Sequence, residues 1–288
     1  MSDKVAQDYI ELFKNNKNYS GSPVGIVINY KIDANSLLVL RKGLASENSD
    51  VREKIVYLLK DLDDQTVQKP TSVLKTEQII EILSVEGLSK YDAARNASIN
   101  ILINWCTQAM LEKYNKYYAK VLETAPGESL FLLIAKAKAI QAKNTVINLH
   151  KTERWKSDPY AEIAAAALGD TQIEDKYIAM AQKAADGDSL TDALSNLKSI
   201  GTRRSLQVVA SFLRSPLVSG PLKISLRINA LEALSYNFLN EPVLRTYNIN
   251  SQDDYLAAER FCEETLGVRF EGPLPPFYVD TPLPTPLR

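Results

Sequence analysis

The chain has 288 residues, 45% of them hydrophobic and 24% charged, the composition of an ordinary soluble protein and not of a disordered one. A net charge of −1 and a pI near 6.0 give no global field towards nucleic acid or acidic lipid, and no apolar run is long enough to span a membrane. One histidine, His150, in the whole chain rules out His-rich metal sites and leaves few ways to build a His-dependent nucleophile.

The opening M-S-D-K-V-A-Q-D-Y-I-E-L-F lacks the apolar core of a signal peptide, which points to the cytoplasm. An exported domain whose signal has been removed is the alternative. A first helix is expected from about Ser2 to Lys14. Val24 to Tyr30 is the one β-branched run of note and, having no evident strand partner, reads as a connector. Asp33 to Leu44 reads as a helix. The next is capped at Asp50, with Val51, Ile55, Leu58, Leu59 and Leu62 on one face.

After a linker from Pro70 to Lys75, Thr76 to Val85 carries Ile79, Ile82 and Leu83. A helix from Lys90 carries Ile99, Leu102, Ile103, Cys106 and Met110, and the helical pattern continues from Leu111 to Glu123. Ala125-Pro126-Gly127-Glu128 breaks it. Leu130, Leu133, Ile134, Ala137 and Ile140 form another stripe, and Asn144 to Trp155 a shorter helix.

Ser157 to Gly169 organises the chain. Asp158 is a cap, Pro159 suits a first helical position, and Ile163, Ala164, Ala167 and Leu168 make a narrow, mostly alanine stripe ended by Gly169. Side chains that small let a second helix come close. Ile173 to Ala185 is amphipathic, with Tyr177, Ile178, Ala181 and Ala185 on one side. Ser189 with Asp192 reads as a capping-box variant that opens a face of Leu190, Ala193, Leu194, Leu197 and Ile200, ended by Gly201. Thr202 precedes Leu206, Val209, Ala210 and Leu213. Longer helices are expected from Leu222 to Leu239 and from Gln252 to Leu266, before a proline-rich end.

Asp50-Val51-Arg52 resembles the D-x-V-R signature of HEAT-like repeats, and Asp158 to Gly169 resembles the second helix of such a repeat. Second helices begin near 50, 90, 127, 158, 189 and 222, a spacing of roughly 31 to 40 residues against the ~40 of HEAT or armadillo units. The resemblance implies an all-α fold: a right-handed αα superhelix, or solenoid, of HEAT-like helical hairpins with a proline-rich C-terminal strap. It would occupy residues 1–271, with a divergent half at 1–125, more regular repeats at 126–240 and a terminal helix at 252–267. Residues 272–288 form the tail.

Asp186, Asp188 and Asp192 sit close together, but the twelfth position from Asp186 is Leu197, where a calcium loop needs a bidentate Glu. Asp61, Asp63 and Asp64 fail the same test. His150 and Glu153 lack a third ligand, and no nucleotide-binding or nucleophile-elbow motif occurs. No catalytic, cofactor-binding or metal-binding residue is therefore assigned, and no cofactor is expected. Cys106 and Cys262 read as two buried thiols.

Charge placement is more informative. Between Ala193 and Leu231 there is no acid, while Lys198, Arg203, Arg204, Arg214, Lys223 and Arg227 supply six bases. Equivalent repeat positions lie side by side in a solenoid, so these six are the candidate surface for a protein partner with an acidic face. The expected function is a non-enzymatic interaction scaffold or adaptor. Two classes known among HEAT-like proteins remain as alternatives: bilin lyases or isomerases, and alkylpurine DNA glycosylases. The near-neutral charge and the lack of an aromatic-interleaved basic run weigh against nucleic acid.

Overall fold

Side-chain caps and glycines set several helix ends in the computed structural model, which describes residues 40–68, 76–90, 92–215, 218–219, 224–245 and 252–272. The expected helix Ser2–Lys14, the Val24–Tyr30 run, the start of Asp33–Leu44, the linker, Lys223 and the tail from Pro273 lie outside these. The described residues are predominantly helical and fall into two compact units, one ending at Ala161 and the other starting at Glu162.

The first unit contains α1 (Ser49–Gln68), α2 (Thr76–Val85), α3 (Ala93–Trp105), α4 (Gln108–Glu112), α5 (Asn115–Thr124), α6 (Glu128–Ala137) and α7 (Lys143–His150). α1, α2 and α3 pack on one another, α3 also packs on α6, and α6 on α4 and α5. Val51, Ile55 and Leu59 of α1, Ile79, Ile82 and Leu83 of α2, and Ile99 and Leu102 of α3 are buried, as their spacing predicts. Arg52 is buried too. It ion-pairs with Asp92, the residue that caps α3 by accepting from the Arg95 amide. A single acid thus serves a helix start and a neighbouring helix.

The second unit holds α9 (Thr171–Lys183), α10 (Gly187–Ile200), α11 (Arg203–Ser211), a 3-10 turn (Phe212–Arg214), a two-residue antiparallel ladder (β1, Val218–Ser219; β2, Ile224–Ser225), α12 (Leu226–Asn237), α13 (Pro242–Arg245) and α14 (Gln252–Leu266). α10 packs on α9, α11 and α12, and α11 packs on α9, α12 and α14. Leu190, Ala193, Leu194, Leu197 and Ile200 of α10 are all buried, and so are Leu206, Val209, Ala210 and Leu213 after it. Between these helices Gly201 takes φ 57°, and its amide donates to Leu197 O at 2.9 Å.

The organising helix, α8 (Pro159–Ala167), begins as expected: Asp158 Oδ1 accepts from the Tyr160 and Ala161 amides at 3.0 and 2.9 Å. Its end is a Schellman motif, with Asp170 N donating to Ala165 O and Gly169 N to Ala166 O, both at 3.0 Å, around Gly169 at φ 99°. Asp170 then caps α9 through the Gln172 and Ile173 amides. The helix is more deeply embedded than one narrow stripe requires. Ala161 and every residue from Ile163 to Leu168 are buried.

Several expected boundaries move. The helix expected from Lys90 stops at Trp105, and Met110 stands exposed on the separate α4. Lys138, at φ 50°, ends α6 and leaves Ile140 57% exposed, outside the stripe assigned to it. α7 ends at His150, short of Trp155. α10 starts at Gly187, two residues before Ser189: Asp186 is its cap, accepting from the Ser189 amide at 2.8 Å and the Ser189 hydroxyl at 2.9 Å. α12 starts at Leu226 because Ile224 and Ser225 are engaged in the ladder. Ala185 lies beyond α9 and is exposed.

Candidate interaction groove

α9 and α11 lie side by side in the second unit, and the chain leaving α14 crosses close to them. α11 and the 3-10 turn after it use one stripe, Leu206, Val209, Ala210 and Leu213, for the core. Val208 and Phe212, four positions apart, form a second, half-buried strip. Opposite stand Ile178 of α9 and Val268 after α14, also half-buried. Together these four side chains floor an open groove of about 470 Å³.

Its rim is polar. Gln182, Arg204, Gln207 and Ser211 border it, and Gly267 completes the lining. Gln207 Nε2 donates to Leu266 O at 2.8 Å, which satisfies a terminal carbonyl of α14 and pins α14 to α11. A second hollow of about 590 Å³ has Gly267 and Val268 in common with it and is otherwise lined by Glu263, Arg269, Phe270 and Glu271. No acid, histidine or cysteine lines the first groove. Its surface offers apolar contact, amide hydrogen bonds and one cation.

That cation is positioned by a buried acid. Glu174 of α9, 4% exposed, accepts from the Thr202 hydroxyl, from Ser205 Oγ at 2.9 Å and from Arg204 Nη1 at 3.4 Å. Thr202 in turn caps α11 through the Ser205 amide. Arg204 Nη2 reaches Asp175 at 2.6 Å, and this bond, followed by the charges of Glu174 and Asp175, raises the guanidinium pKa above its ordinary value. Arg203 has no acidic partner among the described residues and leans to the groove edge, its Nη2 3.5 Å from where a side chain on Gly267 would begin.

The six bases singled out along the sequence do not form one exposed ridge. Arg203 and Arg204 come together at the groove. Arg214 is turned inward onto α14, with Nε and Nη2 on the two Glu259 carboxylate oxygens at 2.7 and 2.8 Å. Its Nη1 donates to the carbonyls of Glu271 and, at 2.7 Å, Gly272, and its guanidinium lies 5.3 Å from the Phe270 ring centre. The Glu259 hydrogen bond raises its pKa despite the cost of burial. Arg227 is 3% exposed and donates from Nε to Ser215 O at 3.1 Å, and burial lowers its pKa. Lys198 sits over the Tyr236 ring at 5.0 Å. Lys223 lies outside the described residues.

The expectation of a surface position is therefore corrected for Arg227, and Arg214 is tied to a buried carboxylate. The reason is local: β2 turns the start of α12 inward, and Glu259 lies opposite the 3-10 turn. The sequence reading missed Gln182, Gln207, Val208, Phe212 and Val268. The available signal was the Val208–Phe212 pair, a second apolar strip beside a stripe already sufficient for the core.

Among the described residues no group of three or more His, Cys, Asp or Glu side chains is placed to hold a metal ion, and no helix is long and apolar enough to cross a membrane. His150 is half-buried at the end of α7. Cys106 and Cys262 are both buried and form no disulfide. Neither a family model, nor a curated protein sequence, nor a solved structure matches this chain.

Proposed function

We propose that the chain is a non-enzymatic interaction adaptor made of HEAT-like helical hairpins, stacked as in a right-handed αα superhelix, and that the α9–α11 groove receives a protein segment. The observation that carries this reading is the apolar floor of Ile178, Val208, Phe212 and Val268, which the described residues leave half-buried, edged by amides and an arginine. Such a mixture of apolar floor and polar rim is the anatomy of a peptide-binding surface. The packing of alternate helices, α9 on α11 and α10 on α12, is what repeated hairpins produce and supports the stacked architecture.

A protein ligand fits better than a phosphate backbone. Arg204 and Arg214 are both matched to carboxylates of the same unit, which reduces what these two can contribute to counterion release. The test is capture from the native host with the full chain and with an Ile178→Asp, Val208→Asp double variant, followed by direct titration of any partner found. A partner that binds the purified chain and is lost in the double variant supports the reading. An unchanged set of captured proteins would refute the groove as the binding surface.

A further inference from the structure

We propose that the first unit carries a second interaction surface, a lysine-edged patch around Ile140 that takes an acidic protein segment bearing an apolar side chain. An adaptor has to hold two things, and the groove accounts for one. The patch lies wholly within the first unit and stands on observations separate from those of the groove.

α5 and α6 form a hairpin whose charges are sorted by end. From Lys113 to Thr152 the sequence has seven lysines and only two acids, Glu123 and Glu128. Both acids stand beside the connection between α5 and α6. At the other end Asn115 Nδ2 donates to Ala137 O at 3.2 Å, which ties the start of α5 to the end of α6. Lys116 follows Asn115 and Lys138 follows Ala137, so these two lysines share the end remote from the acids. Glu128 opens α6, about 15 Å of helix away from Lys138. Lys120 continues the row one turn along α5. Lys116 and Lys120 are exposed, while Tyr118, Ala119 and Leu122 are buried. Neither lysine forms an ion pair with a described residue, in contrast to Arg204 and Arg214. Lys113 marks the edge of the patch, since Glu77 and Glu81 of α2 already act on the adjacent Tyr114.

The chain then crosses this end. The left-handed Lys138 turns it out of α6, and the 3-10 turn Ile140–Ala142 packs on α5. Ala139 and Ala142 are buried, whereas Ile140 is left 57% exposed, more than any other large hydrophobic side chain among the described residues. Lys143 follows at the start of α7. An aliphatic side chain among lysines has the apolar centre and charged rim of a protein interface. A phosphate backbone would leave Ile140 unused. A bilayer surface calls for a continuous apolar face, and the patch offers one aliphatic side chain. Carboxylates of a protein segment match the lysines, which set its association rate and salt dependence, and an apolar side chain on that segment covers Ile140.

The experiment uses the full chain and two labelled synthetic peptides, one of glutamate alone and one with leucine at every fourth position, titrated by fluorescence anisotropy at low ionic strength. The leucine-bearing peptide should bind the more tightly. Lys116→Gln with Lys120→Gln should weaken it about fivefold, and Ile140→Ser should weaken it about threefold, to the level of polyglutamate. If the double lysine variant loses helicity by circular dichroism, Lys120→Gln alone takes its place. Insensitivity to the lysine substitutions, equal binding of the two peptides, tighter binding of oligothymidylate or of phosphatidylserine vesicles, or no binding at all would each overturn the proposal. The Ile178→Asp, Val208→Asp variant should bind the peptide as the unaltered chain does. A loss there would assign the acidic peptide to the groove and overturn this proposal alone, while a groove that captures nothing leaves a positive result at the patch standing.

Discussion

Arg214 and Arg227 carry the same charge as Arg203 and lie in the same acid-free stretch, but their surroundings give them different work. Glu259 is 4% exposed, and the Arg214 fork is the neutralising contact for a carboxylate that deep. Removing one member of such a pair leaves a charge without compensation, so Arg214→Ala is expected to lower stability by roughly 3 kcal/mol in urea titrations. Arg203→Ser, at an exposed position, should change it by less than ~0.5 kcal/mol. Equal effects would show that the fork adds nothing. Cys262 is a second case. Burial, with Glu259 and Glu263 nearby, pushes its thiol up to about 12. Below an unfolded thiol value of about 8.5 both states keep the proton. Above it only the unfolded chain releases one, so alkaline pH should erode stability progressively from there to about 12, and a Cys262→Ala variant should lose that part of the slope.

Local chemistry decides how well each element could be read in advance. α2 and α14 were legible to the residue because their apolar periodicity stops where their helices stop. Lys138 was not: a left-handed lysine at a helix end carries no sequence signal, so Ile140 was assigned to a stripe it does not join. The alanines of α8 suggested a close contact on one side, and the burial of Ile163 to Leu168 extends that around the helix. Ala164→Leu or Ala166→Leu should therefore destabilise by ~1–3 kcal/mol through overpacking, read as a lowered melting temperature; no change at either position would contradict the packing. Gly201 makes a parallel case between α10 and α11. A methyl there would meet Asn237 Oδ1 at 2.5 Å, and the backbone sits at φ 57°. Gly201→Ala should cost about 1–2 kcal/mol, the penalty of a left-handed residue, and disturb the Asn237 amide's bond to Lys198 O. The groove was the least legible feature, because it needs Ile178, Val208 and Val268 from three separated stretches.

For the molecule as a whole, the division into two units is a prediction about unfolding. Trp105 and Trp155, the two tryptophans of the chain, both precede Ala161, so tryptophan fluorescence, excited selectively over tyrosine, reports the first unit alone. Non-coincident transitions by fluorescence and by circular dichroism are expected, and superimposable curves would show one cooperative block. Cysteine placement sharpens this, since each unit contains one buried thiol, Cys106 before the boundary and Cys262 after it. A brief pulse of alkylating reagent during unfolding, followed by peptide mass spectrometry, would stamp each molecule with the halves that had opened. The native chain thus holds its own two-channel recorder of the order in which it comes apart, with no engineered label.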